Sequence, residues 1–217
     1  MIAILLLGLA AGMSHVLTGP DHVAALAPFS VEAQRSAWIV GLRWGIGHAL
    51  GIIAVALVFV FAADRLDVQG LAGAGGYLVG AVLCAVGAWG LLHSRRATHT
   101  FERESESDSH GRHRHVHATA ALSIGTLHGL VGTGSTLAVL PAVGMRTAGE
   151  SLVYLAGFAA GTVVSMSGVA WLLGVLAPRD ERGSAYRRVF QVASLCSLLL
   201  GVAWLGLALA GVGVPGG

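Results

Sequence analysis

His15-Val-Leu-Thr-Gly-Pro-Asp21-His22 lies inside an otherwise apolar run, Ile2 to Phe29. A charged side chain in hydrocarbon costs at least ~2.5–3.5 kcal/mol on insertion scales, so ionisable residues there mark a pathway or a site. Two imidazoles and a carboxylate carry the nitrogen and oxygen donors that divalent transition metals take. Gly19-Pro20 stands between them, and a proline removes one helical donor and crowds the turn before it. The expected structure is a membrane-crossing helix broken at Gly19-Pro20, with opened backbone beside coordinating side chains.

The rest of the chain fits that setting. It has 217 residues, 55% hydrophobic and 11% charged, about half the charge usual for a soluble domain. Its mean hydropathy is +0.75. These values describe an all-α integral membrane protein with no separate soluble domain. The formal net charge is +2 and every basic side chain is Arg. Those arginines fall mostly in loops, which excludes a nucleic-acid partner. Cys84 and Cys196 stand in different spans without a Cys-x-x-Cys pair, as small buried hydrophobes do. The N-terminus lacks the basic region of a cleaved signal peptide and reads as mature sequence.

Apolar windows long enough to cross ~30 Å of hydrocarbon run approximately over 2–29, 37–62, 70–92, 119–142, 150–177 and 188–211. The organisation expected is residues 1–93 as a first three-helix repeat, 94–118 as a His-rich polar loop, and 119–217 as a second three-helix repeat. Loops after the first, third and fifth spans hold Arg35, then Arg95, Arg96, Arg103, Arg112 and Arg114, then Arg179, Arg182, Arg187 and Arg188. The opposite loops hold Arg65 and Arg146. The positive-inside rule places the first set, with loop 94–118, in the cytoplasm and both termini outside. The expected location is the cell inner membrane, crossed several times.

The halves echo each other. His15-x3-Gly19 with Pro28 recurs as His128-x3-Gly132 with Pro141, at one offset of 113 residues. Three spans per half would make the copies face opposite ways, the inverted-repeat plan in which broken helices meet at a midplane site. Asp21-His22 becomes Gly134-Ser135 in the second copy, so the first carries the full ligand set.

Asp21 is the one acidic residue in the interior of a span, every Glu and every other Asp falling in a loop or at a span end. A bound cation would keep it charged; a pair with Arg43 in the second span is the alternative. His15 and His22 are two helical turns apart and would share a face of an unbroken helix. His48, flanked by Gly45, Gly47 and Gly51, sits where close helix approach lets its ring reach the first span. His128 adds a fourth intramembrane imidazole. Thr18, Thr133 and Ser135 satisfy helix carbonyls or add oxygen, and Gly157 with Gly161 suits tight packing. The run His110, His113, His115, His117 can hold Ni, Co, Zn or Cu loosely or be plain solvated chain. Its imidazoles ordinarily gain protons near pH 6.5, so binding there would weaken on acidification.

The line His15-x5-Asp21-His22, followed by Gly45-Ile-Gly-His48, resembles the nickel/cobalt transporter superfamily, in wording nearest its urease-accessory-type, high-affinity nickel transport branch. That family's hallmark is His-x4-Asp-His in one span and Gly-His in the next. Here five residues separate His15 from Asp21, six spans replace eight, and the fourth span reads His128-Gly-Leu-Val-Gly-Thr-Gly-Ser135.

The resemblance and the residues together imply a non-enzymatic transporter carrying Ni²⁺ or Co²⁺ as substrate, with His15, Asp21, His22, His48 and His128 as metal ligands and no resident cofactor. The partners expected are the metal ion, the lipid bilayer, and a second copy or a metalloenzyme-maturation system. No Walker A line occurs, so ATP hydrolysis by that route is excluded. The competing readings are an intramembrane zinc metalloenzyme, against which stand the missing His-Glu-x-x-His line and intramembrane Glu, an exporter of a small anion or thiol compound using Arg43, and a metal-free scaffold.

Overall fold

The computed structural model describes residues 1–62, 68–100, 110–131, 141–180 and 183–211. They are helical, without a strand among the described residues. The helices are α1 (Ile2–Thr18), α2 (Pro20–Ala33), α3 (Ala37–Ala62), α4 (Val68–Thr100), α5 (His110–Val131), α6 (Ala148–Leu176) and α7 (Ser184–Leu209). Four described stretches are long and apolar enough to cross a membrane: Pro20–Ala56, Gly76–Ser94, Ala148–Leu176 and Ser184–Leu209. Ile2–Thr18 and Ala120–Leu130 are shorter apolar helices.

The first span breaks where expected. Gly19 leaves helical geometry at φ −85° and ψ 101°, and Pro20 opens α2 at a position where a missing N–H costs no helical bond. The chain then turns at Gln34, whose φ of 46° lies in the left-handed region. The Gln34 N–H donates to Ser30 O, closing the end of α2. At the start of α6, Thr147 Oγ1 accepts from the Glu150 N–H at 3.2 Å while Glu150 Oε2 accepts from the Arg146 N–H at 3.1 Å. This Thr-x-x-Glu pattern is a variant of the capping box.

Glycine sets the helix pairing. A side chain on Gly8 or Gly12 would run into the carbonyls of Tyr154 and Phe158, and one on Gly157 or Gly161 into those of Leu5 and Leu9. Thus α1 lies flush along α6, the two running in the same direction. Gly125 and Gly129 bring α5 equally close to the carbonyls of Trp44 and His48 on α3, again in the same direction. Gly41 and Gly45 meet Met166 and Val163, so α3 and α6 run oppositely, and α1 and α5 are therefore opposed. Gly80, Gly87 and Gly201 seat α4 against α7. Such small-residue interfaces are how membrane helices gain packing without a hydrophobic drive.

Polarity is arranged inside out. Leu172, Leu176, Leu199, Val202 and Leu209 are exposed, whereas Asp21, His22, Ser30, His48, His128, Thr162, Ser194 and Ser197 are buried. Helix α2 is the inner element, packed against α3, α4, α6 and α7. Its Ala25, Leu26 and Phe29 join Trp44, Leu83, Met166 and Trp204 in the largest core.

The polar stretch expected as a loop over 94–118 is helical in backbone at both of its described ends. The backbone of α4 continues to Thr100 and that of α5 begins at His110. Runs of Arg, His and Ala carry no helix breaker besides Gly111, so the flanking helices extend through them. The side chains of His110, His113, His115 and His117 lie outside the described residues, as do Thr133, Gly134 and Ser135.

Candidate metal centre

The break at Gly19 puts the last turn of α1 and the first turn of α2 side by side at the level of His48 on α3 and His128 on α5. Five side chains converge there from four helices. His15 Nε2 is 3.2 Å from His48 Nε2, and His22 Nε2 is 3.4 Å from the same atom. His128 Nε2 donates to Asp21 Oδ2 at 2.8 Å. Asp21 Oδ1 lies 3.2 Å from His22 Nδ1. Asp21, His22, His48 and His128 are buried and His15 is partly so.

Two overlapping sets of donor atoms result, His15–His22–His48 and Asp21–His22–His128. Within each set the donors lie within 4.8 Å of one another. Neutral imidazole nitrogen with one carboxylate suits Zn, Cu, Ni, Co and Fe more than Mg or Ca. Asp21 Oδ1, His22 Nδ1, His48 Nδ1 and His128 Nδ1 are buried without a hydrogen-bond partner among the described residues. Unsatisfied polar atoms cost about 1–3 kcal/mol each, so a cluster of them in an apolar bundle is poised to take a ligand.

The walls are apolar. The Phe158 ring lies 5.6 Å from His15 and the Trp44 ring 6.4 Å from His128. These aromatics are the same residues whose carbonyls pack on Gly12 and Gly125. Gly19 lines the centre itself: a Cβ there would run into His22 Nδ1 and Asp21 Oδ1.

All five residues singled out in the sequence come together here. The alternative pairing of Asp21 with Arg43 is not the one seen. Arg43 is exposed, and Asp21 is met by His22 and His128. The glycines around His48 act differently from expectation: Gly47 and Gly51 seat α3 on α5, and Gly45 seats it on α6. Thr18 Oγ1 donates to Ser14 O at 2.8 Å, satisfying its helix. A buried polar side chain that the sequence reading passed over is Thr162, on α6 beside Gly12 of α1. It is fully buried, and its Oγ1 is without a hydrogen-bond partner among the described residues. Its signal was the shift of about 113 residues that relates the halves, which carries His48 to the turn of α6 holding Thr162.

Residues 3–203 match the family described as the cytochrome c biogenesis protein transmembrane region. The chain belongs to that family. Among its relatives is Chloroplast protein FOR GROWTH AND FERTILITY 1 of Arabidopsis thaliana, 29% identical over 210 residues, covering 90% of this chain and 56% of the relative. Chloroplast protein FOR GROWTH AND FERTILITY 2 of the same plant is 32% identical over 206 residues, covering 90% and 54%. The chain thus spans about half the length of these two relatives. Urease accessory protein UreH of Bacillus sp. (strain TB-90) is 25% identical over 218 residues, covering 94% of this chain and 91% of UreH. No solved structure matches. The resemblance read from the His/Asp line is thereby met in part: a urease accessory protein is among the relatives, while the family whose model matches is the cytochrome c biogenesis transmembrane region rather than the nickel/cobalt transporters.

Proposed function

We propose that this membrane protein transports a divalent transition-metal cation, Ni²⁺ or Co²⁺, through the His/Asp centre. The observation that carries the reading is the convergence of His15, Asp21, His22, His48 and His128 at a helix break in the middle of the bundle. The similarity to the urease accessory protein UreH supports it. The cation would exchange water for imidazole nitrogen, with Asp21 compensating its charge. A metalloenzyme-maturation system is then a fitting partner in the cell.

The two opposed halves supply the moving parts. The Gly12–Phe158 contact in one is matched by the Gly125–Trp44 contact in the other, related by the same shift of 113–114 residues. His15 beside Phe158 is matched by His128 beside Trp44. Inverted repeats of this kind rock about a fixed central site to expose it alternately. The location proposed is the cell inner membrane, and the arginine distribution favours an orientation with loop 94–118 in the cytoplasm and both termini outside.

Thiol chemistry has less to stand on. Cys84 and Cys196 are both free thiols, and neither belongs to the buried cluster. The test is flux into reconstituted vesicles loaded with a metal-sensitive dye. Ni²⁺ or Co²⁺ entry that His22→Ala abolishes is the expected result. Unchanged entry in that variant removes the site, and no entry of any divalent ion removes the function.

A further inference from the structure

The two donor sets share one residue, His22, and they use its two ring nitrogens. His22 Nε2 faces His48 and belongs with the nitrogens of His15 and His48. His22 Nδ1 lies 3.2 Å from Asp21 Oδ1 and so belongs with the carboxylate that His128 holds on its other oxygen. One side of the His22 ring therefore offers an all-nitrogen triad and the other a triad of two nitrogens and a carboxylate. We propose that the centre is two cation stations back to back on His22, occupied one at a time, between which the ion passes during transport. This rests on the transport reading above.

Three features support two stations over one composite site. The donor atoms fall into two groups, each within 4.8 Å, rather than one group of five. A single ion cannot engage both nitrogens of one imidazole, because their lone pairs diverge in the ring plane. The exposures differ as well: His15 is partly accessible, whereas Asp21 and His128 are buried. The His15–His22–His48 station is thus the one nearer an entry, and the Asp21–His22–His128 station the enclosed one.

Exclusivity follows from charge. Two divalent ions separated by one imidazole would repel strongly in a low-dielectric interior, and a single carboxylate is present to offset them. Neutral imidazole carries a proton on the nitrogen that holds no ion, so passage from the Nε2 station to the Nδ1 station moves that proton from Nδ1 to Nε2 as the ion goes the other way.

The test is Ni²⁺ binding to the purified full chain, with His110→Gln, His113→Gln, His115→Gln and His117→Gln present in every sample including the otherwise unaltered chain, bound ions counted by calorimetry and imidazole ligands by X-ray absorption, alongside vesicle flux. The unaltered chain is expected to bind one Ni²⁺ with at most three imidazoles. His15→Gln/His48→Gln keeps one ion on two imidazoles, and Asp21→Asn/His128→Gln keeps one ion on three. Both hold it within about 100-fold of the unaltered affinity, the range of ligand-shell changes, and both lose flux at least tenfold. His22→Gln binds neither way. Four imidazoles on the ion in the unaltered chain overturn the proposal without recourse to any variant. Loss of all binding in either well-folded pair variant, or two ions bound at once, overturns it too. An unaltered chain that neither binds nor carries Ni²⁺ instead removes the transport reading on which it rests.

Discussion

Asp21 Oδ2 accepts a 2.8 Å hydrogen bond from His128 Nε2, across 107 residues of sequence. The pair joins the first turn of α2 to the last turn of α5, and so ties the two halves together at the candidate metal centre. A carboxylate in this position would be untenable without such a donor.

Separating its structural part from its chemical part takes two variants. Asp21→Asn keeps an oxygen acceptor for His128 but removes the charge. It is expected to fold and to lose cation affinity about tenfold or more, because the neutral amide no longer offsets the charge of the ion. His128→Ala strands the carboxylate and costs about 1–3 kcal/mol of stability besides. Thermal unfolding in detergent beside Ni²⁺ titration checks both; equal stability in the two variants would contradict the tie.

Gly19 tests the cradle directly. Its backbone, at φ −85° and ψ 101°, is open to any L-residue, so Gly19→Ala brings no backbone strain. The new methyl, however, occupies the space of His22 Nδ1 and Asp21 Oδ1. His22 must swing away, because Asp21 is fixed by His128. Metal affinity and flux are expected to fall at least tenfold, with a melting shift of only a few degrees; binding as tight as in the unaltered chain would show the cradle is not used.

Much of the centre was legible because membrane chemistry is restrictive. Polar groups in an apolar run are rare, so His15, Asp21, His22, His48 and His128 stood out one by one. The break stood out because Gly19-Pro20 acts locally through backbone chemistry. What could not be read was who faces whom. Asp21 pairs with His128 rather than Arg43 because α5 packs flush on α3 through Gly125 and Gly129, and a helix register between distant segments leaves no local mark. Thr162 stayed hidden for a similar reason, since a lone threonine in a span usually bonds to its own helix. The extension of α4 and α5 into the polar stretch was missed because charge and histidine suggest solvent without opposing helix.

The glycine interfaces give an internal control. A Cβ on Gly129 runs into the His48 carbonyl, whereas Gly168 has nothing within 4 Å. Gly129→Ala must push α5 off α3, an overpacking that costs about 1–3 kcal/mol. It also draws His128 from Asp21, so flux falls with stability. Gly168→Ala sits on an open helix face and raises stability by about 0.5–1 kcal/mol. Unfolding curves for the two should shift in opposite directions.

Thr162 carries a prediction of opposite sign for stability and function. Its hydroxyl is buried with no partner among the described residues, which costs about 1–3 kcal/mol on mutational scales. Thr162→Val keeps the branched shape and removes that cost, so the variant is expected to be at least as stable. If the hydroxyl gives an oxygen to the passing ion, flux falls several-fold. A variant both more stable and fully active would leave Thr162 as packing alone.

Metal binding should itself be visible as stability. A ligand that binds only the folded state stabilises by about 2.7 kcal/mol at a free concentration one hundred times its dissociation constant. Ni²⁺ or Co²⁺ should therefore raise the melting temperature by several degrees, and a chelator should reverse the rise. Mg²⁺ should have little effect, because it keeps its waters and prefers oxygen ligands. His22→Ala removes the residue common to both donor sets, so its melting temperature should no longer respond to Ni²⁺. A persistent response there would place the stabilising ion elsewhere, with the histidines of residues 110–117 the first place to look. Removing those four side chains in the His22→Ala background then decides between the two locations.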